Sequence, residues 1–311
     1  MINTSTPRIV HIASGDLWAG AESQLFTLVT TLHQTLDVTV SVVLLNYGKL
    51  EDRLRKAGID VTVLDESSLN AFQILKKLVK VFNDKHPDVI HTHRIKENIL
   101  GSIAALFTGR IPSLRTVHGA PEHHPSWRQV PKRIIRYLDR LSGRFLQNKI
   151  IAVSDDLAEI LKNEYPAEKI QVIENGLDLD SYQVPVINKQ TAPCTETSTL
   201  RIGIAGRLVP VKRVDLFIHT ARYIIDHYPD VSATFYIYGE GNQRGQLEKL
   251  SRELKTDHVI HFKGHCADMP GELKVLDVLM MTSDHEGLPM ILLEAMALKV
   301  PVIAHATGGI P

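Results

Sequence analysis

Short bursts of apolar, largely β-branched residues recur along the chain, separated by longer stretches whose apolar positions return every three or four residues. In the first half the bursts fall at residues 9–13, 38–45, 61–64, 89–92, 113–118, 150–153 and 171–174. Their near-continuous apolar character predicts parallel strands buried on both faces. Between them, residues 22–36, 50–57, 71–83 and 131–146 carry the period of amphipathic helices. This alternation predicts a doubly wound α/β domain.

The pattern breaks at residues 184–199, V-P-V-I-N-K-Q-T-A-P-C-T-E-T-S-T, which reads as an exposed linker between a first domain, 1–183, and a second, 200–311. Strands are expected at 201–205, 232–238, 259–263, 275–282 and 300–304, and helices at 214–227, 243–254 and 290–298. The chain stops on the turn Thr307-Gly308-Gly309-Ile310-Pro311, where a doubly wound domain would continue with a helix. We therefore expect the second domain to be incomplete and the chain truncated.

Composition narrows the function classes. The 311 residues hold 35 Lys+Arg against 35 Asp+Glu, so nucleic-acid binding by bulk charge is not expected. With 44% apolar and 23% charged residues the chain can bury a real core. Cys194 and Cys266 show no paired-ligand spacing, which argues for a reducing compartment and against a structural zinc site. No apolar run reaches the roughly 18 residues of a membrane span, and the first residues lack the core of a signal peptide. A cytoplasmic location is expected.

In open α/β sheets ligands sit beyond the carboxyl ends of the strands. After the first strand, Ser14 to Glu22 form a Gly-containing turn whose helix could receive an anion on its backbone N–H groups. His118-Gly119 ends the fifth strand. His91 and His93 share a strand face, yet no third ligand lies near in sequence, so no metal site is expected. In the second half, Gly206-Arg207 to Lys212-Arg213 put cations in the loop before a helix, a natural diphosphate clamp. Ser283-Asp284-His285-Glu286-Gly287-Leu288-Pro289 follows a later strand and Glu294 lies a little over one turn into the next helix, so two carboxylates can accept sugar hydroxyls. The helix end is expected to keep both ionised by lowering their pKa values.

Together these residues resemble the group-1 (family 4) retaining glycosyltransferases. The Gly206-Arg207…Lys212 loop, Glu286-Gly287-x-Pro289…Glu294-Ala295-Met296-Ala297, Pro301-Val302-Ile303-Ala304 and Gly308-Gly309-Ile310-Pro311 carry the resemblance. Gly20-Ala21-Glu22, Thr116-Val117-His118-Gly119, Val153-Ser154-Asp155 and Asn175-Gly176-Leu177-Asp178 match the family's stations in the first half, although Ala19 stands where the family often has a further Gly. The resemblance implies two Rossmann-like domains facing across a cleft (GT-B). It further implies transfer of a hexose-type sugar from a nucleotide-diphosphate sugar to a glycan or lipid-linked acceptor in cell-surface polysaccharide or glycolipid biosynthesis. Arg207 and Lys212 would hold the donor diphosphate, Glu286 the sugar hydroxyls and Glu294 the ribose. Gly20 would offer backbone N–H groups near the phosphate, and His118 would lie beside the donor sugar. Gly206, Gly287 and Leu288 complete the implied donor set. Neither a metal nor another cofactor is expected, and no protein nucleophile is assigned.

Other readings weigh less. An epimerase or phosphorylase on the same fold would need its own acid/base set or subsite. Gly239-x-Gly241-x-x-x-Gly245 spaces its third Gly one residue late for a dinucleotide fingerprint. Asp178-Leu179-Asp180 matches a metal-binding Asp-x-Asp but follows Asn175-Gly176, as a turn does. A truncated, non-catalytic remnant is the third alternative. Finally, Arg128, Lys132, Arg133, Arg136, Arg140, Arg144 and Lys149 stand against the single acid Asp139, with Trp127, Ile134, Ile135, Leu138 and Phe145 interleaved. That segment reads either as a solvated helix face or as a contact with an anionic membrane surface, peripheral on the inner face.

Overall fold

The computed structural model describes residues 6–16, 18–119, 130–182 and 199–311. It divides into two compact units, Met1–Gly176 and Leu177–Pro311. Of the expected linker only Thr199 is described; Cys194, Trp127 and Arg128 also lie outside the described residues.

The first unit is a seven-stranded parallel sheet in the order β3-β2-β1-β4-β5-β6-β7. Its strands are β1 (Arg8–Ala13), β2 (Thr39–Leu44), β3 (Asp60–Val63), β4 (Val89–Thr92), β5 (Ser113–Val117), β6 (Lys149–Ala152) and β7 (Ile170–Val172). Helices α1 (Gly20–Thr35), α2 (Lys49–Lys56), α3 (Ala71–Lys85), α4 (Ile95–Phe107), α5 (Val130–Leu141) and α6 (Asp155–Lys162) connect them. Alternation along β1 sends Val10 and Ile12 to a core with Leu78, Phe82 and Ala104, and Ala13 to a core with Leu25, Val29 and Leu54. The winding reverses between β1 and β4, which makes their carboxyl ends the expected ligand position.

The second unit repeats the plan with five parallel strands in the order β10-β9-β8-β11-β12. In chain order it comprises β8 (Leu200–Ala205), α7 (Val214–His227), β9 (Ala233–Tyr238), α8 (Arg244–Glu253), β10 (Ile260–Gly264), α9 (Met269–Lys274), β11 (Val278–Met281), α10 (Met290–Ala297) and β12 (Val302–Ala304). Here the reversal lies between β8 and β11.

Some elements depart from expectation. α4 has no clear apolar stripe, because Glu97, Asn98 and Ser102 are buried beside Leu100 and Ala104. α9, at six residues, is too short to show a period, and α6 carries only one turn's worth of it in Leu157, Ala158 and Leu161. The helix expected through residue 146 ends at Leu141 and continues as one wider turn, Ser142–Leu146. The buried Arg115 guanidinium explains this: it donates to the Asp139 carbonyl and to Ser142 Oγ, both at 3.0 Å. That carbonyl is thereby drawn out of the regular ladder.

Candidate functional site

The strongest cluster lies in the second unit, in the loops after β8 and β11. Four hydrogen bonds lace the loops together. Thr282 Oγ1 donates to the carbonyls of Lys212 and Arg213, at 3.0 and 2.8 Å. The Asp284 N–H donates to the Val211 carbonyl at 2.9 Å. Arg213, in a left-handed conformation with φ 47°, donates to Asp215 and to Asp284 and so serves as a pin.

This lacing brings Lys212 and Glu286 together. Lys212 Nζ donates to Glu286 Oε1 at 2.5 Å, and Ser283 Oγ donates to the same oxygen at 2.6 Å. Gly206, Lys212, Ser283 and Glu286 line one narrow recess with Ile204, Tyr238 and Met281 behind them. Arg207 is exposed on the same loop as Lys212. Two glycines permit the approach. Gly239 has φ 133°, and a Cβ there would lie 1.9 Å from the Gly206 carbonyl oxygen. This close approach is the local role of the first Gly in the dinucleotide-like spacing. Gly308 has φ 61°, and its Cβ would lie 1.9 Å from the Glu286 carbonyl oxygen, while the Gly309 N–H donates to Gly287 at 2.7 Å. The terminal Gly-Gly turn therefore closes on the Glu286 loop. Leu288 packs against the core of this unit.

Glu294 requires a correction. It was expected to be held ionised by the helix N-terminus, but it is the fifth residue of α10, beyond the turn where that field acts. It is 8% exposed, and burial pushes its carboxyl above the usual range, opposed by a hydrogen bond with Tyr182. Tyr182 ends a 3-10 turn, Leu179–Tyr182, in which Asp178 accepts from the Asp180 N–H at 3.1 Å and from Ser181 Oγ at 2.6 Å. The Asp178 carboxylate thus caps a turn.

In the first unit, the ends of β1, β4 and β5 gather groups that local sequence did not connect. Gly20 opens α1 and is exposed. Glu22, in the first turn of α1, accepts from the Ala19 N–H at 3.2 Å and pairs with Arg94, which follows β4 and reaches to 3.9 Å from Asp16. Ser14 Oγ donates to Glu97 at 2.6 Å, and burial raises the Glu97 carboxyl. His118 is half-buried, and burial, helped by Arg94, lowers its pKa to about 4. His91 and His93 do meet a third histidine, His11, with ligand atoms all within 4.8 Å. It comes from β1, 80 positions earlier than His91, and only strand pairing could have revealed it.

Comparison with known proteins decides the family. Residues 18–181 match the family model described as Glycosyltransferase Family 4, and residues 199–311 match the model described as Glycosyl transferases group 1. The chain belongs to glycosyltransferase family 4. Among the relatives of this family 4 chain, the Escherichia coli UDP-Gal:alpha-D-GlcNAc-diphosphoundecaprenol alpha-1,3-galactosyltransferase is 28% identical over 266 residues, 84% of this chain and 68% of that enzyme. The Salmonella typhi Vi polysaccharide biosynthesis protein VipC/TviE is 27% identical over 250 residues, 76% of this chain and 41% of that protein. The crystal structure of Anabaena Alr3699/HepE in complex with UDP-glucose superposes with a TM-score of 0.80 at 23% identity, covering 97% of this chain and 81% of that one. This glycosyltransferase chain therefore has the GT-B type of fold, with two Rossmann-like domains.

Proposed function

We propose that the chain is a retaining glycosyltransferase that moves a hexose-type sugar from a nucleoside-diphosphate sugar to a glycan or lipid-linked acceptor, in cell-surface polysaccharide or glycolipid biosynthesis. The observation that carries this reading is the Lys212–Glu286 pair, a cation and a carboxylate held over one recess by laced loops. In the transfer, the bond between the anomeric carbon and the diphosphate oxygen breaks and its electron pair leaves with the diphosphate, while the acceptor hydroxyl oxygen bonds to the same carbon and gives up its proton to the departing diphosphate oxygen. Lys212 and Arg207 stabilise the negative charge that grows on the departing diphosphate, the largest electrostatic demand of the step. These fixed cations do the work a metal would do, so no metal is required. Glu286 accepts from the sugar hydroxyls and Glu294 from the ribose. Gly287 and Leu288 shape the loop that presents Glu286, and Gly206 lets the phosphate approach. Gly20 and His118 are assigned to the donor phosphate and sugar on the family's pattern.

The acceptor side is read from α5. Ile134, Ile135, Tyr137 and Leu138 are exposed on this helix and Phe145 just beyond it, among Lys132, Arg133, Arg140 and Arg144. Apolar side chains among cations suit an anionic bilayer on the cytoplasmic side, and the E. coli relative is named for a sugar linked to diphosphoundecaprenol. Among the described residues no helix is long and apolar enough to cross a membrane.

The test is a panel of nucleotide sugars, beginning with UDP-galactose and UDP-glucose, incubated with lipid-linked and glycan acceptors. Acceptor-dependent nucleotide release with one donor, and an anomeric configuration kept in the product, are expected. Inversion at the anomeric carbon would refute retention, and no release with any donor would refute the transferase reading.

A further inference from the structure

Strand register explains how four histidines come to share one layer. His11 on β1 stands opposite His91 on β4, so both side chains leave the same sheet face, and His93 follows two residues on. β5 places Leu114 opposite His91, so Thr116 and His118 continue that face. The outcome is a file of imidazoles. His11 Nδ1 lies 3.2 Å from His93 Nε2, and His93 Nδ1 lies 3.3 Å from His118 Nε2. Successive rings are nearly parallel, at 19° and 22°. His91 stacks on His93 at 4.4 Å between ring centres, with its Nε2 2.8 Å from Thr116 Oγ1. At the inner end, His11 Nε2 is buried with no hydrogen-bond partner. His93 lies nearly parallel to His11 (19°) and to His91 (24°), against a 37° tilt between His11 and His91, and rings so stacked direct few in-plane lone pairs to a common point, which favours a file over a metal cage.

Burial lowers all four pKa values, that of His11 to about 3, so the file is neutral at pH 7. A neutral imidazole has one N–H and one lone pair. Only two arrangements then satisfy both links. If His93 carries its proton on Nε2, it donates to His11 Nδ1, and the His11 proton is forced onto buried Nε2 with no acceptor. If His93 carries it on Nδ1, it donates to His118 Nε2 and accepts from His11 Nδ1, leaving only a bare lone pair at His11 Nε2. Orphaned buried N–H groups are rarer than orphaned acceptors, which selects the second arrangement. We propose that the buried end of the file sets the tautomer at its outer end, so that His118 is the neutral Nδ1–H form, a hydrogen-bond donor and not a base. His93 and His11 are positioning residues acting through it. The use of that donor, to a sugar hydroxyl or phosphate oxygen, rests on the placement of His118 proposed above; the tautomer does not.

The test is a long-range proton–nitrogen correlation spectrum of protein labelled with 15N in histidine, with His118 assigned by loss of its signals in His118→Gln. The expected result at pH 7 is a protonated Nδ1 and a bare Nε2 on His118. In His93→Phe the link is gone, and His118 should shift to the Nε2–H form that an unconstrained imidazole favours. If that variant does not fold, the wild-type spectrum alone decides. A wild-type His118 with its proton on Nε2 would overturn the proposal, as would one equivalent of zinc co-purifying with metal-shifted histidine nitrogens. The spectrum needs no nucleotide, so its outcome is separate from whether the chain binds UDP.

Discussion

Thr282 Oγ1 lies 3.0 Å from the carbonyl oxygen of Lys212, a residue 70 positions earlier in the chain. The same hydroxyl also serves the Arg213 carbonyl, so one buried side chain sets the loop that carries the Lys212 ammonium. Thr282→Val keeps the shape and removes the donor. It should cost about 1 kcal/mol of stability. It should also weaken UDP binding roughly tenfold, since a loosened Lys212 loses about 1.4 kcal/mol of preorganised contact. Urea unfolding and calorimetric titration of UDP read the two effects; unchanged UDP affinity would show that the lacing does not position Lys212.

The buried pair of Arg115 and Asp139, at 2.9 Å with side chains 2% and 10% exposed, holds β5 to α5. Asp139→Ala strands a buried guanidinium and should destabilise the first unit by about 3–5 kcal/mol. Tyr165, Gln147 and Ser142, which also bond to Arg115, soften the loss without replacing the charge. Equilibrium unfolding checks this, and a loss under about 1 kcal/mol would mean the pair is not a keystone.

Acid should destabilise the first unit through its buried histidines. An unfolded chain protonates its histidines near 6.5, whereas folded His11 and His118 do so only near 3 and 4. Stability from these groups is therefore complete above about pH 6.5 and is lost as pH falls below it, by up to about 1.4 kcal/mol per pH unit for each histidine. Glu294 and Glu97 act in the opposite sense: their raised carboxyls favour the folded state more at low pH than at neutral pH. Denaturation midpoints from pH 7 to 5 should fall with the histidine sign, and a flat profile would contradict the burial of the file.

On α5, Ile134→Asp with Ile135→Asp should reduce sedimentation with phosphatidylglycerol vesicles by roughly ten- to a hundredfold, because two large apolar side chains no longer enter the headgroup region. Neither residue is buried in the fold, so the melting temperature should hold. Equal sedimentation of variant and wild type would remove α5 as the membrane contact.

Much of this organisation was legible in the sequence because parallel strands buried on both faces announce themselves as apolar runs. The loop carrying Gly206, Arg207 and Lys212 and the one carrying Glu286 stood out by their place after such runs. What escaped was non-local or buried. His11 joins His93 through sheet register, Arg94 reaches Glu22 from a different loop, and α4 hides its period under buried Glu97, Asn98 and Ser102. Glu294 shows the same limit: its depth in the fold is not written in its position along α10, and burial raises its carboxyl beyond the reach of the helix end.

The most direct measurement is calorimetric titration of UDP into the wild type and into Lys212→Ala. Removing a charge-assisted contact worth about 1.5–3 kcal/mol should weaken binding by roughly ten- to a hundredfold while the far-ultraviolet spectrum and melting temperature stay as in the wild type. Equal affinity in the two proteins would contradict the assignment of the Lys212–Glu286 recess to the donor diphosphate.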